Sequence, residues 1–83
     1  MDQSKIMEMT EQYVQHTYNR FPISIDRGMG THVWDSEGKE YLDFMAGIAV
    51  FALGYGNQKL NDAVKSQVDK LMHTSNYFYN VPA

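Results

Sequence analysis

The chain has 83 residues, no cysteine, and ten acidic against seven basic side chains, for a net charge of −3. That inventory excludes a disulfide scaffold and the basic surface a nucleic-acid binder needs, and it fits one small soluble domain of intracellular type. A chain of this size buries only about 60 to 65% of its unfolded surface. Against that small capacity, 13% of the residues are aromatic and six are methionine, so the apolar load predicts surface to be covered by further polypeptide or by a second subunit. Asp2, Lys5 and Glu8 interrupt any apolar leader core, and Gly47, Gly54 and Gly56 break the nearly uncharged run between Phe44 and Lys59, which is too short to span a bilayer. A cytoplasmic protein without membrane contact is the expectation.

In chain order, Ser4 is the expected cap of a first helix running to about Thr17, with Ile6, Met7, Met9, Tyr13 and Val14 as a loose apolar face. Phe21-Pro22 stops helical structure, because proline lacks an amide donor and drives its predecessor toward extended geometry. Residues Ile23 to Asp26, Thr31 to Asp35 and Glu40 to Phe44 then read as three antiparallel strands, joined at Arg27-Gly28-Met29-Gly30 and at Ser36-Glu37-Gly38-Lys39. Asn57 caps a second helix whose apolar positions Leu60, Ala63, Val64, Val68, Leu71 and Met72 follow helical spacing. The expected class is therefore α+β: helix, three-stranded antiparallel meander, amphipathic helix. No repeat or linker divides the chain, so residues 1–83 form a single segment.

Bottom-up, few side chains announce chemistry. Gly28, Gly30, Gly54 and Gly56 lack the spacing and the lysine of a phosphate loop and read as turn residues, although Gly54-Tyr55-Gly56 does precede a helix N-terminus. His16, His32 and His73 lie on three different elements without ligand spacing, so no metal site is expected. Asp35, Glu40 and Asp43 could pair for acid–base work, yet around a hairpin they read as turn carboxylates screened by Lys39.

The wording of three segments adds more. Val33-Trp34-Asp35-Ser36-Glu37-Gly38-Lys39-Glu40-Tyr41-Leu42-Asp43-Phe44-Met45-Ala46-Gly47-Ile48-Ala49-Val50 resembles the N-terminal region of the class-III aminotransferases, pyridoxal-phosphate enzymes of fold type I. Thr17-Tyr18-Asn19-Arg20-Phe21-Pro22-Ile23 ahead of it agrees in order and spacing, as do Leu53-Gly54-Tyr55-Gly56-Asn57 and His73-Thr74-Ser75-Asn76 behind it. The resemblance covers roughly residues 12 to 82 and is strongest toward the acetylornithine-type branch. It implies the N-terminal part of a much longer enzyme, with the remainder of that enzyme and a second subunit of a homodimer as partners and a small amino acid as substrate. It also implies Tyr18 at the substrate's α-carboxylate and Phe21 in the channel wall, where the residues alone indicate only aromatic packing. Ser75 and Asn76 are implied near the cofactor, where the residues alone indicate a helix-ending turn.

Ile48 separates branches within the resemblance. Ornithine-type enzymes carry a tyrosine there that helps receive a free amino group, whereas an apolar wall suits an acylated, uncharged nitrogen. Phe51, Ala52, Tyr55 and Asn57-Gln58 depart from the family wording, which bears on the substrate more than on the family. The lysines Lys5, Lys39, Lys59, Lys65 and Lys70 do not resemble the Schiff-base lysine, and neither a phosphate loop nor a pyridine aspartate occurs in these residues. The 83 residues alone are thus expected to hold no pyridoxal phosphate and to catalyse nothing. Ornithine, succinylornithine or 4-aminobutyrate transamination is the alternative, followed by a non-enzymatic α+β module that self-associates, possibly by exchanging its first helix.

Overall fold

The computed structural model describes residues 2–82. A first helix, α1 (Gln3–Tyr13), leads into an irregular stretch and then into β1 (Ile25–Met29), β2 (His32–Asp35) and β3 (Glu40–Leu42); a short turn, α2 (Ala46–Ala49), and a longer helix, α3 (Gln58–Lys70), complete the order. The strands form one antiparallel sheet, β1-β2-β3. The α+β class expected from the sequence is the class observed.

The cap of α1 is Asp2, whose carboxylate accepts from the Lys5 amide at 2.8 Å; Ser4, the expected cap, lies two residues further on, inside the first turn. The helix ends at Tyr13, four residues short of expectation, where the β-branched Val14 turns extended. Its N-terminus is moored to the sheet through Gln3, which accepts from the Ser24 amide at 2.7 Å and donates to Glu37 at 3.3 Å.

The first hairpin corrects the expected register. Met29 pairs with His32, so the joint is Gly30-Thr31, and Arg27, Gly28 and Met29 belong to β1 rather than to a loop. Gly30 takes the positive φ of 58° that this tight turn needs. Asp26 sits where the register shifts, a bulge between Ile25 and Arg27. Gly28 has another reason to be glycine: a Cβ there would come within 2.6 Å of the Tyr55 ring. The second joint is as expected, closed by Gly38 donating to the Asp35 carbonyl at 3.0 Å and by Asp35 donating to that of Lys39 at 2.9 Å. β3 ends at Leu42, because Asp43 already turns the chain.

α3 begins at Asn57 as expected, with its side chain accepting from the Leu60 amide at 3.0 Å. It ends at Lys70, so Leu71 and Met72 lie beyond the helix rather than in its last turn. Its stripe of Leu60, Val64, Val68 and Leu71 is regular but uncovered. Among the described residues only Val33 and Asp35 are buried. The radius of gyration is 16.9 Å; a compact chain of this length would measure about 12 Å. The sheet is therefore a local scaffold from which both helices project their apolar faces outward.

Candidate functional site

Proline at position 22 and the exit from α1 keep residues 14–24 out of helix, and this irregular stretch, tightened by Thr17 donating to the Gln15 carbonyl and Ile23 to that of Phe21, carries Tyr18 and Phe21 along the side of α1. The two aromatics line one groove of about 450 Å³ with Ile6, Met7, Thr10 and Glu11. Phe21 also borders a second concave face of about 570 Å³, walled by Ile25, Val33, Tyr41, Phe44 and Tyr55 of the sheet and its flank. Both rings remain largely open, Tyr18 at 76% and Phe21 at 77% exposure. They are available to a ligand or to missing walls.

Ile48 stands apart. It projects from α2 at 83% exposure and lines none of the grooves described. Its backbone lies at φ 64°, flanked by Ala46 at 50°, Gly47 at 61° and Ala49 at 61°, so the turn winds left-handed. For a β-branched residue this is an outlier, and such strain persists only where surrounding structure enforces it. Ser75 and Asn76 fall in a third place, a hollow of about 250 Å³ beyond α3 shared with Gln67, His73, Thr74 and Asn80. Ser75, also left-handed at φ 68°, accepts from the Tyr77 amide at 3.3 Å, leaving its hydroxyl proton to donate. The structure thus unites Tyr18 with Phe21 and leaves Ile48 and the Ser75-Asn76 pair at separate positions.

The histidines are equally dispersed. His16 Nε2 lies 3.1 Å from Glu11, His32 Nδ1 lies 2.7 Å from Glu40 across the β2–β3 pair, and His73 borders the hollow beyond α3. No helix among the described residues is long and apolar enough to cross a membrane.

The carboxylates prove to be organisers of turns. Asp35 accepts from the Glu37 and Lys39 amides, both at 2.9 Å, and from the Tyr41 hydroxyl at 2.9 Å. Burial alone would raise its pKa, but the bonds from Lys39, Tyr41 and Glu37 outweigh it and hold the group below the usual carboxylate range. Asp43 accepts from Met45 and Ala46 amides at 2.8 and 3.0 Å and from the Tyr55 hydroxyl at 2.8 Å; the Tyr55 bond, then the two amides, lower its pKa. Burial and the Asp35 bond raise Tyr41, and the Asp43 bond raises Tyr55. The sequence reading did not see the Tyr55–Asp43 bond. Its signal was available in glycines on both sides of Tyr55 and at 28 and 30, which mark a close approach of backbone to ring.

These directions fix a pH profile. Asp35 and Asp43 ionise more readily folded than unfolded, so their stabilisation is present above the ordinary carboxylate value and disappears as pH falls through the lowered one. Tyr41 and Tyr55 are raised, so their stabilisation holds below the ordinary phenol value and disappears as pH climbs through the raised one. The hairpin signals of the chain, followed by NMR, are expected to weaken as pH falls below the ordinary carboxylate range and as it climbs above the ordinary phenol range. Signals of Asp35 and Asp43 that titrate above the ordinary carboxylate range would contradict the assigned bonds.

The family model for aminotransferase class-III matches residues 13–83. The chain belongs to the class-III aminotransferases. It is 48% identical over 75 residues to an acetylornithine aminotransferase of Methanopyrus kandleri, covering 90% of this chain and 19% of that protein. An acetylornithine aminotransferase crystal structure from Elizabethkingia anophelis superposes with TM-score 0.90 at 36% identity, over 98% of this chain and 21% of that one. An ornithine aminotransferase from Toxoplasma gondii superposes with TM-score 0.87 at 31% identity, over 98% and 19%. This class-III aminotransferase chain therefore spans about a fifth of its relatives' length. The family is pyridoxal-phosphate-dependent. Of the residues here, Thr74, Ser75 and Asn76 offer neutral donors suited to the edge of an anionic cofactor, and none of the five lysines lines their hollow.

Proposed function

We propose that this chain is the N-terminal segment of a cytoplasmic, homodimeric transaminase that moves the δ-amino group of N-acetylornithine to 2-oxoglutarate in arginine biosynthesis. The observation that carries the reading is Ile48: an apolar side chain on an exposed, strained turn, in a chain whose similar relatives include acetylornithine aminotransferases. An apolar wall suits the acyl group and costs a neutral acylated nitrogen far less desolvation than it costs an ammonium. In this reading Tyr18 borders the substrate α-carboxylate, Phe21 forms channel wall, and Ser75 and Asn76 donate to the cofactor. The cofactor, when bound, supplies the electron sink that lets an amino group leave one carbon skeleton for another. The residues of this chain bind, orient and exclude water; proton transfer belongs to a lysine further along.

Two experiments test this. The coding sequence in frame beyond Ala83 is expected to supply that lysine, and the full-length protein is expected to prefer N-acetylornithine over ornithine in a 2-oxoglutarate-dependent assay. Preference for free ornithine would favour the ornithine-type alternative, a fold that the Toxoplasma similarity fits equally well. The uncovered apolar faces of both helices favour a second reading, a non-enzymatic module that pairs with itself; a reading frame closing at Ala83 would support it.

For the 83 residues alone, pyridoxal phosphate is expected to leave no stoichiometric absorbance band after dialysis. A band retained and mapped by borohydride reduction to one lysine would overturn the assignment of the covalent step to residues outside this chain.

A further inference from the structure

Tyr55 is held from three sides. Its backbone exchanges two hydrogen bonds with Gly30, at 2.8 and 2.9 Å, which fasten it to the first hairpin. Its ring lies over Gly28, where any side chain would collide, and stacks on Phe51 at 4.9 Å between centroids. Its hydroxyl donates to Asp43 Oδ2 at 2.8 Å, while Asp43 Oδ1 receives the Met45 and Ala46 amides at the mouth of the left-handed turn. Phe51 in turn donates its amide to the Ala46 carbonyl at 2.9 Å and lays its ring 3.4 Å from where a Cβ on Gly47 would stand. The turn closes on itself through the Ala49 amide to the Met45 carbonyl at 2.8 Å and the Val50 amide to the Ala46 carbonyl at 2.7 Å, and the side-chain contacts that brace it from outside come from Asp43 and Phe51, both held by Tyr55. Residues in this backbone region relax unless so held.

We propose that Tyr55, acting through Asp43, is a positioning residue for the turn that carries Ile48, and that it thereby sets the preference between acylated and free amine substrates. The proposal rests on the reading of Ile48 as substrate wall. Asp43 is the relay: one oxygen faces the aromatic anchor and the other faces the turn, so loss of the phenol hydroxyl frees the carboxylate to rotate. Tyr55→Phe keeps the ring over Gly28 and on Phe51, and removes only that bond.

The test uses the full-length protein and two readouts. Hydrogen exchange at the amides of residues 45–51 is expected to quicken at least about tenfold in Tyr55→Phe, the scale for losing one bond to a charged acceptor. The amides of β2 should be unaffected. The N-acetylornithine to ornithine ratio of kcat/KM is expected to fall by about tenfold in Tyr55→Phe. In an Ile48→Ala background it should not move, because nothing remains to be positioned. Unchanged exchange at 45–51, or an equal fall in the ratio in the Ile48→Ala background, overturns the proposal. A wild-type enzyme that turns over neither substrate would sink the substrate reading, while the exchange measurement would still decide whether Tyr55 holds the turn.

Discussion

In the full-length transaminase, Ile48→Tyr is expected to shift the kcat/KM ratio from N-acetylornithine toward ornithine by roughly 10- to 200-fold, the span that one apolar contact or clash is worth in a substrate pocket. The phenol would crowd the acyl group and offer an oxygen to a free ammonium. The change should not act through unfolding: Ile48 is exposed, and removing its β-branch at φ 64° eases backbone strain rather than adding to it. Tyr18→Phe is the contrast, since both substrates present the same α-carboxylate and both should suffer alike. Steady-state kinetics for the two substrates in wild type and both variants decides the matter. A constant ratio in Ile48→Tyr would remove Ile48 from the substrate wall and the acetylornithine assignment with it.

Gly54→Ala is expected to be the most destabilising single-methyl change in the chain. Gly54 sits at φ 75°, and a Cβ there would lie 2.7 Å from the Gly30 carbonyl oxygen, a backbone atom that cannot swing aside. The left-handed backbone costs an alanine about 1 to 2 kcal/mol. The overlap adds about 1 to 3 kcal/mol and pushes apart the Gly30–Tyr55 bridge. Gly30→Ala provides the control, because its φ is also positive, at 58°, yet nothing lies within 4 Å of the added carbon. Urea midpoints should therefore fall further for Gly54→Ala than for Gly30→Ala. Equal shifts would mean that the close approach between the two segments is absent in solution.

The elements set by local rules were readable in advance. Asn57 before a periodic apolar run marked α3, and Gly38 marked the second hairpin and with it the end of β2. The first hairpin was misplaced because two glycines two residues apart, Gly28 and Gly30, look alike in sequence. Only the structure shows that one turns the chain and the other makes room for Tyr55. The early end of α1 and the departure of Leu71 and Met72 from helix escaped for the converse reason: apolar spacing continues past the point where the helical backbone does. Of the candidate site, the pairing of Tyr18 with Phe21 followed from their shared non-helical segment. The left-handed turn under Ile48 did not, since alanine and isoleucine carry no signature for positive φ and the contacts that brace it come from Asp43 and from Phe51, five and three residues away, and through them from Tyr55.

The uncovered stripe on α3 has a temporal meaning during synthesis. In the proposed reading, where these residues open a transaminase of the relatives' length, they leave the ribosome first and about four-fifths of the chain follows. Translation proceeds at about 5 to 20 residues per second, so Leu60, Val64, Val68 and Leu71 stand in water for tens of seconds before their covering can exist. A nascent chain in that interval is a natural client for chaperones, and the charges at Lys59, Asp62, Lys65, Asp69 and Lys70 stand along α3 in the positions of gatekeepers against aggregation.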